Sequence, residues 1–207
     1  VLNASLEVIA QRFASADGLY EASLKRDWST SGSGPLQNPL MHLAEAFLAT
    51  LAVREDANVR QALLSLCDGM AKHFIEPQQR VMMEKPLKAV DNWFEPGHQF
   101  EWYYLLASSP LLRNGKLHNA LEHSFGHTEQ RGVEPDSGAV CAMLDLEPQA
   151  GPRDATQRIW AQAEYLRALT LRSGSEGTLL SQLRALQQHF LHAKGWNECL
   201  DADGIVS

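Results

Sequence analysis

Three short segments of this 207-residue chain carry side chains suited to acid–base chemistry on a polyhydroxy substrate. In Phe94-Glu95-Pro96-Gly97-His98-Gln99-Phe100-Glu101-Trp102, a Pro-Gly pair precedes a helical pattern that begins at His98. Glu101 and Trp102 follow at three and four residues, so both share a helix face with His98. A helix N-terminus favours the neutral imidazole, and a neutral histidine beside a carboxylate is a general base near neutral pH. The same spacing also fits a helix histidine packed among core aromatics. In Gln37-Asn38-Pro39-Leu40-Met41-His42-Leu43-Ala44-Glu45, Pro39 suits the first helical position and Asn38 the N-cap, with His42 and Glu45 one turn apart. Asn38 and His42 either point into a polar cavity and bind sugar hydroxyls, or belong to a capped helix with one buried histidine. In Arg158-Ile159-Trp160-Ala161-Gln162-Ala163-Glu164-Tyr165-Leu166-Arg167, Trp160 and Glu164 share a face. The indole can stack on a sugar ring while its N–H donates; the alternative is a core tryptophan with a helix ion pair from Glu164 to Arg167.

These segments need elements to hold them. Apolar residues recur at helical spacing in Leu2–Phe13, Met41–Leu51 and Val59–Phe74. Further helices are expected from His98 to about Leu106, Leu117 to Glu129, Ala155 to Leu171, and Gly177 to His192, with Ser173 or Ser175 capping the last. Two stretches lack helical period. Gln79–Pro96 and Val133–Gly151 are each expected to hold a short strand pair, Ala139 to Leu144 being apolar. The chain shows no βαβ alternation, hence no parallel sheet, and no phosphate-binding glycine loop. Helix hairpins with long loops on one side predict an all-α toroid whose loops build the rim of a site.

Composition narrows the partners. Lys plus Arg is 18 and Asp plus Glu is 25, giving a formal charge of −7. That balance lacks the basic footprint of a nucleic-acid binder and is repelled by anionic membranes. No apolar run has transmembrane length. Cys67, Cys141 and Cys199 form no CxxC pair, so reduced thiols in a cytoplasm are expected. His123 and His127 have a metal-compatible i, i+4 spacing, but Ser124-Phe125-Gly126 between them supplies no HExxH glutamate, and no metal site is expected.

The motifs occur in a fixed order: Gln-Asn-Pro-x-Met-His-x-x-Glu-Ala, Glu-Pro-Gly-His-Gln-Phe-Glu-Trp, Arg-Ile-Trp-x-Gln-x-Glu-x-Leu-Arg-Ala, and Gly-Trp-x-Glu-x-Leu-Asp-Ala-Asp-Gly. In that order they resemble the N-acylglucosamine 2-epimerase superfamily, and within it the mannose isomerase branch, over about Gly18 to Gly204. The resemblance implies a twelve-helix (α/α)6 barrel acting on unphosphorylated monosaccharides without a cofactor. It implies that the chain is one domain over 1–207, an interior part of the barrel with seven of the helices. The helix bearing a second catalytic histidine is expected to follow Ser207. By the resemblance, His98 moves protons at the C1–C2 end of the open-chain sugar and Glu101 is its partner carboxylate. Asn38 and His42 match substrate-contacting residues of the isomerase branch. Trp160 matches a wall of the sugar pocket, accompanied by Gln162 and Glu164. The reaction implied is aldose–ketose isomerisation, with 2-epimerisation or a non-catalytic helical module as alternatives. A partial barrel would expose faces such as Phe47, Leu48 and Leu51, so marginal stability or self-association is also expected.

Overall fold

The structure, a computed structural model, describes residues 1–147 and 149–206. The chain divides into two compact units, Val1–Ile75 with Met83–Val90, and Glu76–Met82 with Asp91–Ser207.

In the first unit, α1 (Leu2–Val8) runs into a wider π-helical stretch, Ile9–Phe13. Two long helices follow, α2 (Gln37–Val53) and α3 (Ala57–His73). Asp56 caps α3 by accepting from the N–H groups of Asn58 and Val59. The apolar stripe of α3, Val59, Leu63, Leu66 and Met70, is buried with Leu40, Met41, Ala44 and Phe47 of α2. Phe47 is only 3% exposed, and Leu48 and Leu51 are half-buried. This corrects the expectation that these three lie open to water; Phe47 instead sets its ring edge-on to Tyr20 at 6.1 Å. Asp17, at a positive φ of 58°, accepts from Lys72 Nζ at 2.9 Å and meets His73 Nε2 at 2.7 Å. The Lys72 bond, followed by that to His73, holds the Asp17 carboxyl below its ordinary value.

The second unit is built on α4 (Pro96–Ser108), α5 (Lys116–Gly132), α6 (Ile159–Leu169) and α7 (Glu176–Phe190). Helix α4 is buried on nearly every face, as expected of an inner helix with apolar residues all round. Phe100 and Tyr103 of α4, Phe125 of α5 and Tyr165 of α6 form its aromatic core, with ring centroids 4.5–5.2 Å apart for Phe100–Tyr165, Tyr103–Phe125 and Phe100–Phe125. The Tyr165 hydroxyl donates to Glu129 at 2.7 Å.

Beside these helices lies a small antiparallel sheet of β1 (Cys141–Met143), β2 (Asp154–Arg158) and β5 (Cys199–Leu200), with β2 central. Gln157 pairs with Cys141 on one side and Leu200 on the other. A two-residue hairpin joins β3 (Leu191–His192) to β4 (Gly195–Trp196). Here the structure departs from sequence expectation. The segment expected as helix from Ala155 is strand through Arg158, because its backbone finds partners on both sides that no local window contains. β1 lies inside Val133–Gly151 as expected, but its partner is β2 rather than a strand in that stretch; Pro148 lies outside the described residues. Gln79–Pro96 holds no strand pair among the described residues; Phe94 instead bridges Leu144. His192, expected to end the last helix, sits in β3.

The non-repetitive backbone near α4 and α6 is satisfied by glutamine side chains. Gln99 accepts from Met82 N and donates to Met82 O, both at 2.7 Å. Gln162 does the same for Val140 at 2.9 and 3.0 Å, and also donates to Arg158 O. Gln182 of α7 donates to Gly138 O at 2.7 Å. Each amide supplies a donor and an acceptor, as a neighbouring strand would.

Two measurable consequences follow from these contacts. Gln162→Leu keeps the volume but orphans the N–H and C=O of Val140, at about 1–3 kcal/mol for each group; urea unfolding is expected to show a loss in that range or above. Burial pushes the thiols of Cys67 and Cys141 up to about 12, so both stay protonated at pH 8. Titration with a thiol reagent at that pH is expected to find Cys199 alone in the native protein and three thiols in denaturant.

Candidate active site

The N-terminal turn of α4 is where chemistry-bearing side chains meet in the second unit. Glu95 occupies the N-cap, Pro96 the first helical position, and His98 the third. Two glycines let this turn approach its neighbours. A Cβ on Gly132 of α5 would lie 2.6 Å from the Pro96 ring, and one on Gly97 would lie 2.7 Å from the indole of Trp160 and 2.9 Å from the Ala161 Cβ. The indole of Trp160 therefore reaches His98, with ring centroids 5.0 Å apart and planes tilted by 34°. His98 is 4% exposed. Its Nδ1 lies 3.5 Å from Oε2 of Glu95. The other Glu95 oxygen accepts from Trp93 Nε1–H at 3.4 Å. Glu101, one turn further along α4, is buried.

Trp160 also walls a cavity of about 300 Å³ whose lining includes Glu95, Met143, Asp154, Thr156, Arg158 and Cys199. That volume is at the small end of the range for small-ligand sites, about 300–1,000 Å³. The cavity's polar side chains are interspersed with Ala142, Met143, Trp160 and Ala161. Thr156 bonds to Asp154, and Arg158 pairs with Glu198 at 3.4 Å.

Of the sequence-derived candidates, His98 and Trp160 stand against each other. Gln162 turns out to be engaged with the backbone of Val140 and Arg158, which makes it a support for the strand segment and α6. Glu164 holds Arg167 through both carboxylate oxygens at 2.7 and 2.8 Å, the ion pair that helix spacing allows. Arg167 in turn lies 4.2 Å from the centre of the Tyr104 ring. Sequence spacing did not single out Glu95, Gly97, Gln99 or Trp93, although the first three stand inside the quoted motif. An acidic residue directly before Pro-Gly was the available signal for Glu95.

In the first unit, α2 starts earlier than the capping pattern predicts. Leu36 is the N-cap and Gln37 the first helical residue, so Asn38 lies inside the first turn rather than capping it. Pro39 is tolerated there because first-turn N–H groups lack helical partners anyway. Asn38 and His42 lie on one exposed face, four residues apart. His42 Nδ1 is 2.8 Å from Glu45 Oε2, and its side chain is 57% exposed, so it is no buried core histidine.

Two further histidines of the second unit have structural surroundings. His127 Nε2 lies 2.9 Å from Gln79 Oε1, and burial, aided by Arg131, holds its pKa below the ordinary histidine value. His118 stacks on Tyr103 at 6.0 Å.

The N-acylglucosamine 2-epimerase (GlcNAc 2-epimerase) family matches residues 1–207. The chain belongs to that family. It is 32% identical over 190 residues to a protein of Rhizobium meliloti (strain 1021) named mannose-6-phosphate isomerase, covering 81% of this chain and 48% of that relative. Among solved structures it is similar to a D-mannose isomerase, with a TM-score of 0.81 and 18% identity over 99% of this chain and 59% of that one. It is similar also to the cellobiose 2-epimerase of Bacillus thermoamylovorans B4167, with a TM-score of 0.82 and 15% identity over 99% and 58%. The fold is the helical-barrel fold of these epimerases and isomerases, as expected for an (α/α)6 member. The chain spans about half the length of the curated relative. No helix among the described residues is long and apolar enough to cross a membrane.

The contact between α4 and α6 can be tested directly. Gly97→Ala forces a methyl into the Trp160 ring, and overpacking of this kind costs about 1–3 kcal/mol. Gly126→Ala on α5 meets open space and gains helix propensity of about 1 kcal/mol. Denaturation midpoints are expected to move in opposite directions; a neutral Gly97→Ala would show that the two helices do not meet this closely.

Proposed function

We propose that the complete protein interconverts an aldose and a ketose, D-mannose and D-fructose, by histidine-mediated proton transfer through an enediolate. One observation carries this reading: a buried histidine held between a carboxylate and an indole, beside a cavity sized for a small ligand. Isomerisation moves the proton on C2 to C1, and as the ketone forms at C2 the O2 proton is given up while O1 gains one, so the sugar loses and gains two protons. An imidazole suits such transfers because it gains or loses a proton near pH 7. Hydrogen-bond donors around the enediolate oxygens supply the charge stabilisation, so no step in this scheme requires a metal or organic cofactor.

In this reading His98 handles the proton at C1 and O1 and Glu101 is its catalytic carboxylate partner. Trp160 is the wall on which the sugar's C–H face stacks. Asn38 and His42 bind sugar hydroxyls, and Gln162 and Glu164 support the Trp160 helix. The whole of 1–207 is part of one catalytic domain, and three unpaired thiols suit a reducing cytoplasm. The cavity favours a neutral sugar. It presents the carboxylates of Glu95 and Asp154, and its guanidinium, Arg158, is already paired with Glu198; a phosphate would meet like charge there.

A 2-epimerase is the second reading, favoured by the likeness to a cellobiose 2-epimerase. It uses the same first proton removal and returns the proton to C2 on the opposite face. Incubating a panel of free and 6-phosphorylated sugars in D2O and reading the products by NMR separates the two. An isomerase gives fructose with deuterium at C1, an epimerase an aldose with deuterium at C2. His98→Ala in the complete protein is expected to lower turnover by about 10²–10⁴-fold with unchanged circular dichroism. Near-normal turnover in that variant would reduce His98 to a packing residue.

A further inference from the structure

We propose that Asp154 is a specificity-determining residue of the cavity walled by Trp160: its carboxylate accepts from a hydroxyl of a neutral sugar and turns away the same sugar carrying a phosphate there. That the bound sugar is also isomerised rests on the function proposed above; the binding role does not. The placement comes from β2. Successive side chains of a strand point to opposite faces, and here the faces line different cavities. Asp154, Thr156 and Arg158 line the cavity of about 300 Å³ that Trp160 walls. Ala155 and Gln157, between them, line another of about 220 Å³. The alternation thus directs the polar row Asp154, Thr156 and Arg158 to the Trp160 side. It leaves Gln157 on the other side, where its amide donates to Ala202 O at 3.5 Å.

Each member of the row does something different. Thr156 aims the acid: its backbone N–H donates to Asp154 Oδ1 at 2.9 Å, and its hydroxyl donates to the same oxygen. A carboxylate accepts at about four lone-pair sites, so these bonds to one oxygen fix its direction without exhausting its capacity. Arg158 Nη2 donates to Glu198 Oε1 at 3.4 Å, so the cation of the row already has an acid of its own. Asp154 and Glu95 are the acids of the lining. A bond to a carboxylate is charge-assisted, and it needs a donor on the ligand. A sugar hydroxyl is such a donor. A phosphate ester, with a charge of about −1.5 to −2 near pH 7, puts acceptors and like charge in the same place and is repelled. The indole of Trp160 on the same wall offers an apolar face to the sugar's C–H groups. A purely apolar ligand would instead cover the polar row without hydrogen-bonding it, which is costly.

The test uses the complete protein and the thiol of Cys199, which lines the same cavity and is the cysteine expected to react at pH 8. D-Mannose is expected to slow modification of Cys199 by methyl methanethiosulfonate, and mannose 6-phosphate at equal concentration to leave the rate unchanged. Asp154→Asn keeps the shape and removes the charge. In that variant the mannose concentration giving half-protection, and KM for mannose, are expected to rise about 10–100-fold, the span of one charge-assisted hydrogen bond. Its preference for the free sugar over the phosphate is expected to narrow. Mannose that leaves wild-type Cys199 unprotected, or mannose 6-phosphate that protects it equally, overturns the proposal, and neither outcome needs a variant to fold. A folded Asp154→Asn with wild-type half-protection and wild-type preference overturns it as well, and does not touch the isomerase reading where mannose is still converted. Protection by mannose that weakens in Asp154→Asn, in a protein that converts no sugar, upholds the role of Asp154 and removes the isomerase reading.

Discussion

A buried backbone that is neither helix nor strand still carries an N–H and a C=O at each residue, and these must find partners. In the second unit that constraint is met by glutamine amides projecting from helices. Gln99 satisfies Met82, Gln162 satisfies Val140, and Gln182 reaches Gly138. The rest of the unit depends on these clamps, because they let long connections run inward against α4 and α6. Two of them are placed with consequence for chemistry. Gln99 directly follows His98, and Gln162 lies two residues after Trp160. The turns that present the candidate proton carrier and the candidate sugar wall are thus tied to the same loops that complete the core.

The second constraint is steric. Gly97 leaves no room between α4 and the Trp160 ring, and Gly132 leaves none beside Pro96. With both sides of the turn in contact, the His98 backbone has little freedom. A side chain on a rigid helix end, braced by a neighbouring carboxylate and an indole, is the arrangement that precise proton transfer needs. Had the histidine stood on the polar loops nearby, the entropy of ordering it would fall on each catalytic cycle.

How much of this was legible in the sequence depended on the range of the forces involved. The seven α-helices among the described residues were visible from apolar residues recurring once a turn within one element; in α3 that stripe, Val59, Leu63, Leu66 and Met70, is buried. β2 was misread, since its identity comes from Cys141 and Leu200, far away in sequence, rather than from Asp154–Arg158 themselves. The motifs around His98 and Trp160, distant in sequence, meet in the fold. What spacing could not tell was which group each acid and amide meets. Glu101 and Glu95 both lie three residues from His98, on opposite sides. Only the fold shows Nδ1 facing Oε2 of Glu95, with the N-cap bond left unmade. Likewise Gln162 reads as a pocket residue until Val140 is seen against it. Asn38 looked like a cap because Pro39 follows it, yet the helix starts earlier at no cost, since those first N–H groups have no helical partner to lose.

The likeness to solved structures extends over an isomerase and an epimerase at 15–18% identity, so the fold by itself favours neither reaction. The chemistry explains why one framework can serve both. Each reaction begins by taking the C2 proton and passes through the same enediolate; they part only when a proton returns, to C1 in one case and to the opposite face of C2 in the other. Whatever takes the C2 proton and holds the sugar ring is therefore common machinery; under the proposed function Trp160 is of that kind, while His98 serves C1 and O1. The outcome must be set by the angle at which the open-chain sugar presents C1 and C2, hence by residues that grip the far hydroxyls. Under the proposed function that grip is assigned to Asn38 and His42 of the 17-residue helix α2. Under that proposal reaction choice is a matter of hydroxyl anchoring and proton transfer a matter of the α4 turn, so that substitutions at one are expected to change the product ratio and at the other the rate.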